Sequence, residues 1–315
     1  MSLHSTHSRT RRAYVRTFLR NPAHAPRGIV VILLVLLPTL LHSQQHIFEP
    51  ERPGHTWGTE VVAPGWVHFE AGMLLERAAF APVAGDGVLA GGEVYRHTML
   101  QIPAMMLRVG ISDQVEFRVA SSYERMSWRY DPGYFLEEGT TPVEDSQSGM
   151  TVLNVGIKTV VAEETGWIPR TAFIAALAIP GLASPHYDIA QPAPDLAMSF
   201  SHTLGTGLAL GYCGGLSWDG WYANPLGYAS AMLSMDISER MLLFAEYGME
   251  INSHAPVLHA VDAGLVFAVH THLKLDAWAG FGLGDPDIAS TSPTYSSIYR
   301  PDFFVGVGGA YRIKL

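Results

Sequence analysis

From His259 to Leu315 the chain alternates with a period of two. His259, Val261, Ala263, Leu265, Phe267 and Val269 share one parity, and Ala260, Asp262, Gly264, Val266 and Ala268 share the other. After His270-Thr271-His272 the pattern resumes, with Leu273, Leu275, Ala277, Ala279, Phe281 and Leu283 set against Lys274, Asp276, Trp278 and a run of glycines. In the last stretch Phe303, Val305, Val307, Tyr311 and Ile313 oppose Gly306, Gly308, Ala310, Arg312 and Lys314. Period-two alternation makes strands with one apolar face. A soluble sandwich would bury that face, whereas a membrane barrel turns it to lipid and keeps the polar face inside.

The N-terminus bears on the choice. Residues 1–43 carry six arginines and no acid, followed by an apolar run from Gly28 to Leu41 and then His42-Ser43. A basic region, an apolar core of about 14 residues and a small residue at the cut describe a secretory signal. The run is short for a spanning helix, which needs about 20 residues. Removing those six from the 20 Lys+Arg leaves 14 bases against 29 acids. Such an acidic chain is a poor partner for nucleic acid, whose phosphates require Lys and Arg. The single Cys213 excludes an internal disulfide framework and a cysteine-rich metal site. Hydrophobic residues make up 48% of the chain and charged ones 16%, with no long apolar helix after Ser43. An exported chain with that balance fits an antiparallel transmembrane β-barrel.

The remaining sequence follows the same rhythm. Residues 44–64, broken by Pro50, Pro53 and Pro64, read as an irregular periplasmic lead-in, and 65–315 as the barrel. Twelve strands are predicted: 66–77, 93–109, 115–130, 150–161, 170–179, 196–204, 207–218, 226–237, 241–252, 259–269, 273–284 and 303–315. Pro103 lies inside the second, where proline implies a bulge. Odd-to-even connections are mostly long or rich in Pro and Gly (78–92, 131–148, 180–194, 219–225, 253–256 and 285–301), and even-to-odd connections are tight turns. Short periplasmic turns with longer outer loops are the asymmetry of outer-membrane barrels. Strands of this length match a tilted crossing of about 9–11 residues. Aromatics fall where interfacial girdles belong: Trp66, Trp167 and Tyr311 at the periplasmic ends, and Tyr123, Trp128, Trp218 and Tyr228 at the outer ends.

Three strings carry a family resemblance: ERPGHTWGTEVVAPGWVHFEAGMLLER (51–77), LRVGISDQVEFRV (107–119) and the closing 260–315 stretch. They resemble the outer-membrane proteins labelled for the MetA pathway of phenol degradation, over nearly the whole mature chain. The resemblance implies a porin-like barrel that helps small organic, aromatic or hydrophobic compounds to enter. One departure is Leu315 at the C-terminus, where such barrels usually carry an aromatic.

Parity also nominates the lumen. On strands one to three it selects Glu70, Glu76, Arg108, Glu116, Arg118 and Glu124. Further along it selects Lys158, Glu246, Glu250, Asp262, Lys274, Asp276 and Arg312. Charges of both signs either line a selective path or pair into a filled interior, since an unpaired buried charge is costly. Lys274 with Asp262 or Asp276, and Arg118 with Glu116 or Glu70, are candidate pairs. For chemistry the sequence offers little. His259, with His254 nearby, invites comparison with an envelope lipid hydrolase, but Ser230 and Ser253 lack a nucleophile pattern and no G-x-S-x-G occurs. His270-x-His272 has no third ligand at metal-site spacing. No catalytic, cofactor or metal site is assigned. The expected partners are the outer-membrane bilayer, the barrel assembly machinery and a small-molecule substrate. The expected function is an outer-membrane channel, with a closed structural or partner-binding barrel as the alternative and a lipid hydrolase behind it.

Overall fold

The structure, a computed structural model, describes residues 49–52, 54–80, 94–131, 143–251, 257–283 and 301–315. The 1–43 segment and most of the outer loops expected at 78–92, 131–148, 253–256 and 285–301 lie outside the described residues. Thirteen strands form one antiparallel sheet: β1 (Trp66–Phe80), β2 (Val94–Ser112), β3 (Val115–Asp131), β4 (Val143–Met150), β5 (Leu153–Ala162), β6 (Arg170–Ile179), β7 (Ala193–Gly205), β8 (Leu208–Ser217), β9 (Leu226–Ser238), β10 (Met241–Ile251), β11 (Leu258–His270), β12 (Leu273–Leu283) and β13 (Pro301–Lys314).

The sheet closes on itself. β13 pairs with β1 from Trp66↔Lys314 to Arg77↔Phe303, and the ring returns through β2, β3 and the rest in order. Closure pairs β1–β3 and β5–β13 on both sides, the condition for strands to cross lipid, while β4 pairs with β3 alone. β5 pairs with the first half of β3 and β4 with the second half, so the two form one interrupted stave. Thirteen strands therefore make a twelve-staved barrel. The interruption lies at 151–152, where Thr151 N donates to Ser122 O (2.8 Å) and Ser122 N donates to Thr151 Oγ1 (3.0 Å).

Two differences from expectation have physical causes. Residues 143–148, expected as loop, are strand. VEDSQSGM has no lipid-facing parity because nearly all of β4 is exposed. On β2 the register shifts between Gln101 and Ala104, at the bulge expected from Pro103. The shift changes parity, so His97, Met99 and Gln101 point inward on the outer half of β2, while Met106 and Arg108 do so on the inner half.

Polarity is inverted relative to a soluble protein. Phe69, Leu107, Ile157, Leu275, Val305 and Val307 are exposed on the outer wall, whereas Glu70, Arg108, Glu116 and Lys158 are buried. Tyr123, Tyr311 and Trp167 are exposed at girdle positions, Trp167 almost fully at 97%. Trp66 sits at the turn-side rim, stacked on His272 and covered by the Arg312 guanidinium at 4.9 Å. Trp128 and Tyr228 correct the girdle assignment, because both line the lumen.

Val307 faces outward halfway along β13, opposite Met73 and Ala277. Val307→Arg is expected to destabilise the barrel by about 2–4 kcal/mol, the cost of a cation near the bilayer midplane. Reversible urea unfolding in lipid vesicles checks it.

Candidate functional site

Residues 49–52 and 54–64 are irregular and lie inside the barrel. Their backbone makes no ladder, so its polar groups must be satisfied by the wall. Wall carboxylates accept four of its backbone N–H groups. Glu51 N and Arg52 N donate to the Glu70 carboxylate (3.0–3.1 Å), His55 N to Glu246 (2.8 Å) and Val62 N to Glu116 (2.8 Å). Wall donors meet its carbonyls: Arg108 reaches Glu49 O (3.1 Å) and Glu60 O (3.0 Å), and Ser199 Oγ donates to Trp57 O. Thr56 bonds Ser230 and Glu246, and Thr59 bonds Ser201. The segment thus touches wall staves on all sides of the lumen.

Charge fixes its position. Arg108 on β2 stands directly opposite Arg118 on β3, with Lys158 on the next stave opposite Glu116. Glu51 enters this group, pairing with Lys158 and standing 3.3 Å from Arg108 and 3.9 Å from Arg118. Arg108 also binds Glu70 (3.1 Å) and Glu116 (2.8 Å), and Arg118 lies 3.7 Å from Glu116. Three acids and three bases balance, one acid being supplied by the segment. Burial pushes the Glu51 carboxyl upward, but Lys158, Arg118 and Arg108 overcome it and hold the group at about 2 against an ordinary 4.5.

The rest of the segment fits a shaped receptacle. Arg52 reaches Asp276 (3.4 Å) and Val307 O (3.2 Å) across Gly72 and Gly308, where a Cβ would strike its guanidinium. Gly54 has φ +96° and its missing Cβ leaves room for the Glu246 carboxylate, so both backbone and space require glycine. His55 packs edge-on against Trp278 and Phe304 at 5.4 and 5.6 Å, and burial lowers its pKa while Glu246 opposes the shift. Trp57 carries Arg118 on its ring at 4.7 Å.

The lumen candidates separate into groups. Glu70, Arg108, Glu116, Arg118, Lys158, Glu246 and Asp276 hold the segment. Glu76, Glu124 and Glu250 line a cavity of about 820 Å³ whose floor is residues 51 and 54–57. Lys274 borders a chamber of about 180 Å³ by the turns, with Glu49, and Arg312 stands over Trp66. Asp262 is buried opposite Glu246 without a hydrogen bond to its carboxylate. The expected pair of Arg118 with Glu116 is present, while Glu70 is taken by Arg108 and Asp276 by Arg52. Arg52, His55, Thr56 and Trp57 were missed, since an irregular stretch has no period to assign it a face.

The other candidates have ordinary partners. His259 bonds the Tyr247 hydroxyl (2.6 Å), and Ser230 bonds Thr56 and Cys213. His254 and Ser253 lie outside the described residues. In the turn, His272 N donates to His270 Nδ1 (3.0 Å), and His272 Nδ1 lies 3.2 Å from Arg312 O.

No family model matches the chain, and no curated protein matches it. Among solved structures it is similar to an outer membrane channel from Pseudomonas putida F1, with a TM-score of 0.58 and 10% identity over 83% of this chain and 99% of that one. This chain shares that channel's fold. The toluene transporters TbuX of Ralstonia pickettii (TM-score 0.42, 8% identity) and TodX of Pseudomonas putida (TM-score 0.42, 9% identity) each match 80% of this chain and 90% of their own. At that level of likeness they add nothing to the argument.

Glu51→Gln leaves three buried cations facing two carboxylates. Seating of the segment is expected to weaken by about 3–5 kcal/mol, the cost of breaking a buried pair from one side. Hydrogen exchange at the amides of Glu51, Arg52, His55 and Val62 reads it. The seated carboxyl releases its proton more readily than a free one. Its stabilising contribution is therefore complete above pH 4.5 and lost as pH falls through about 2. In the wild type the same amides are expected to lose protection across that window, and in Glu51→Gln the loss should be smaller, since only the Glu70, Glu116 and Glu246 acceptors remain to be protonated.

Proposed function

We propose that this chain is an outer-membrane channel for small organic compounds of aromatic or hydrophobic character, closed at rest by residues 49–64. The observation that carries the reading is the cavity of about 820 Å³ above the segment, walled by aromatic and methionine side chains including Trp128, Tyr228, Phe304, Met99 and Met126. That volume and lining suit a small organic ligand. A purely structural barrel has no need of such a cavity. The resemblance of the 51–77, 107–119 and C-terminal strings to the phenol-degradation barrels agrees with this class of cargo. On this reading residues 1–43 direct export and are removed, and the barrel assembly machinery inserts the mature chain.

Passage requires the segment to shift. It is held mainly by hydrogen bonds and ion pairs, which water can replace, and its described covalent continuation is through Gly65 into β1. Removing residues 49–60 would open the path between the two chambers. A second reading, a closed barrel that scaffolds the envelope or binds a partner through its loops, is favoured by the charge-balanced cluster that crosses the lumen.

Planar-bilayer recording and liposome uptake of a small aromatic separate the two. The channel reading expects brief, infrequent openings and measurable uptake in the wild type, with at least about tenfold higher conductance on deleting 49–60. A wild type that inserts yet neither conducts nor takes up the compound sinks it, whatever the deletion variant does.

A further inference from the structure

The outer cavity has a one-sided charge. Glu76, Glu124, Asp195 and Glu250 line it, and none of its described lining residues is a lysine or arginine. The pleat produces this sorting. On the same staves Arg77, Arg96, Arg125 and Arg129 alternate to the outer face and are exposed. Of the bases that point inward, Arg108, Arg118 and Lys158 are committed to Glu51, Glu70 and Glu116 at or below the floor, Lys274 borders the turn-side chamber and Arg312 stands over Trp66.

The acids are poorly compensated. Glu124 is bonded by the Gln101 amide (3.0 Å) and Asp195 by the Tyr228 hydroxyl (2.8 Å). Glu76 and Glu250 have no hydrogen bond or ion pair with any described residue, and Glu76 feels both Glu250 and Glu124 as like charges. Trp57, Trp128, Tyr187, Tyr228 and Phe304 share this lining with the carboxylates, together with Met99, Met126 and Met249. Aromatic faces attract a cation through their quadrupole, and thioethers accept apolar bulk of varied shape. A neutral hydrocarbon would satisfy the rings and leave the acids unpaired. An organic anion would be repelled by them. A bare metal ion would meet no ordered cage, since among the described residues no group of three His, Cys, Asp or Glu is placed to hold one.

We propose that this cavity binds organic cations with an aromatic or other apolar body, in the class of aromatic tertiary and quaternary amines. The charged head lies between Glu76 and Glu250 and the apolar body against the aromatic wall. For its role in transport this proposal rests on the channel reading above, but binding itself does not require conduction.

The test uses the full chain, purified in neutral detergent at about pH 8. Calorimetric titration compares benzyltrimethylammonium, benzyl alcohol and benzoate. The cation is expected to bind at least about tenfold more tightly than the alcohol, with benzoate weaker still. Added salt should weaken the cation and leave the alcohol unchanged. The double variant Glu76→Gln, Glu250→Gln is expected to lose the preference, and Arg77→Gln, on the outer wall, to retain it. Equal binding of alcohol and cation, or tighter binding of benzoate, overturns the proposal, and the wild-type series decides this even if the double variant does not fold. Liposome flux separates the two readings. Cation binding without flux of any of the three upholds the site and defeats the channel. Flux of the alcohol without a cation preference upholds the channel and defeats the site.

Discussion

The ion cluster at Glu51 is the contact on which the interior depends. Two arginines facing each other on neighbouring staves, with a lysine on the next, cannot remain buried against Glu70 and Glu116 alone. The missing acid comes from outside the sheet. Once Glu51 is fixed there, chain geometry carries Arg52 to Asp276, turns at Gly54 beside Glu246, and sets His55 against Trp278 and Phe304. A segment without secondary structure thereby acquires one path across the lumen. Its position follows from charge balance and from glycines that leave room, rather than from an apolar core of its own.

Much of the wall is legible in the sequence because side-chain direction in a strand alternates whatever the strand packs against. Parity alone separates Glu70, Glu116 and Lys158 from Phe69, Phe117 and Ile157, and the structure buries the first set and not the second. The method fails where a second constraint intervenes. The Pro103 bulge moves the inward parity of β2 to His97, Met99 and Gln101. Both faces of β4 are wet, so it has no alternation to detect. Trp128 shares the parity of Glu116, Arg118 and Glu124, and its lumen placement was available from that fact; the girdle assignment weighed its residue type over its register.

The segment itself was beyond local reading. Its partners lie from 18 to 255 positions away in the chain, and each depends on stave registers that short-range pattern does not encode. What the string 51–62 does display is a mixture unsuited to a free linker: paired charges at Glu51 and Arg52, glycines at 54 and 58, and Trp57 among them. Solvated tethers rarely need an indole. A Trp set beside glycines and charges makes sense where backbone must approach a polar wall closely and a ring must fill part of the remaining space.

The two halves of the lumen then follow different electrostatic rules. At and below the floor, acids and bases are matched and each charge is spent on a neighbour, which gives order at little net gain because desolvation offsets attraction. Above it, carboxylates gather among aromatic rings without a base in the described lining, and Glu76 and Glu250 have no hydrogen-bonding partner among the described residues. A sealed interior would gain by neutralising that upper group. Its charge beside an aromatic wall suits relief by a visiting cation. The floor is held largely by bonds to charged groups, worth about 1.5–3 kcal/mol net each, which water can exchange singly. A plug of apolar side chains would have to leave its site all at once. A polar one can yield contact by contact as a ligand settles above it.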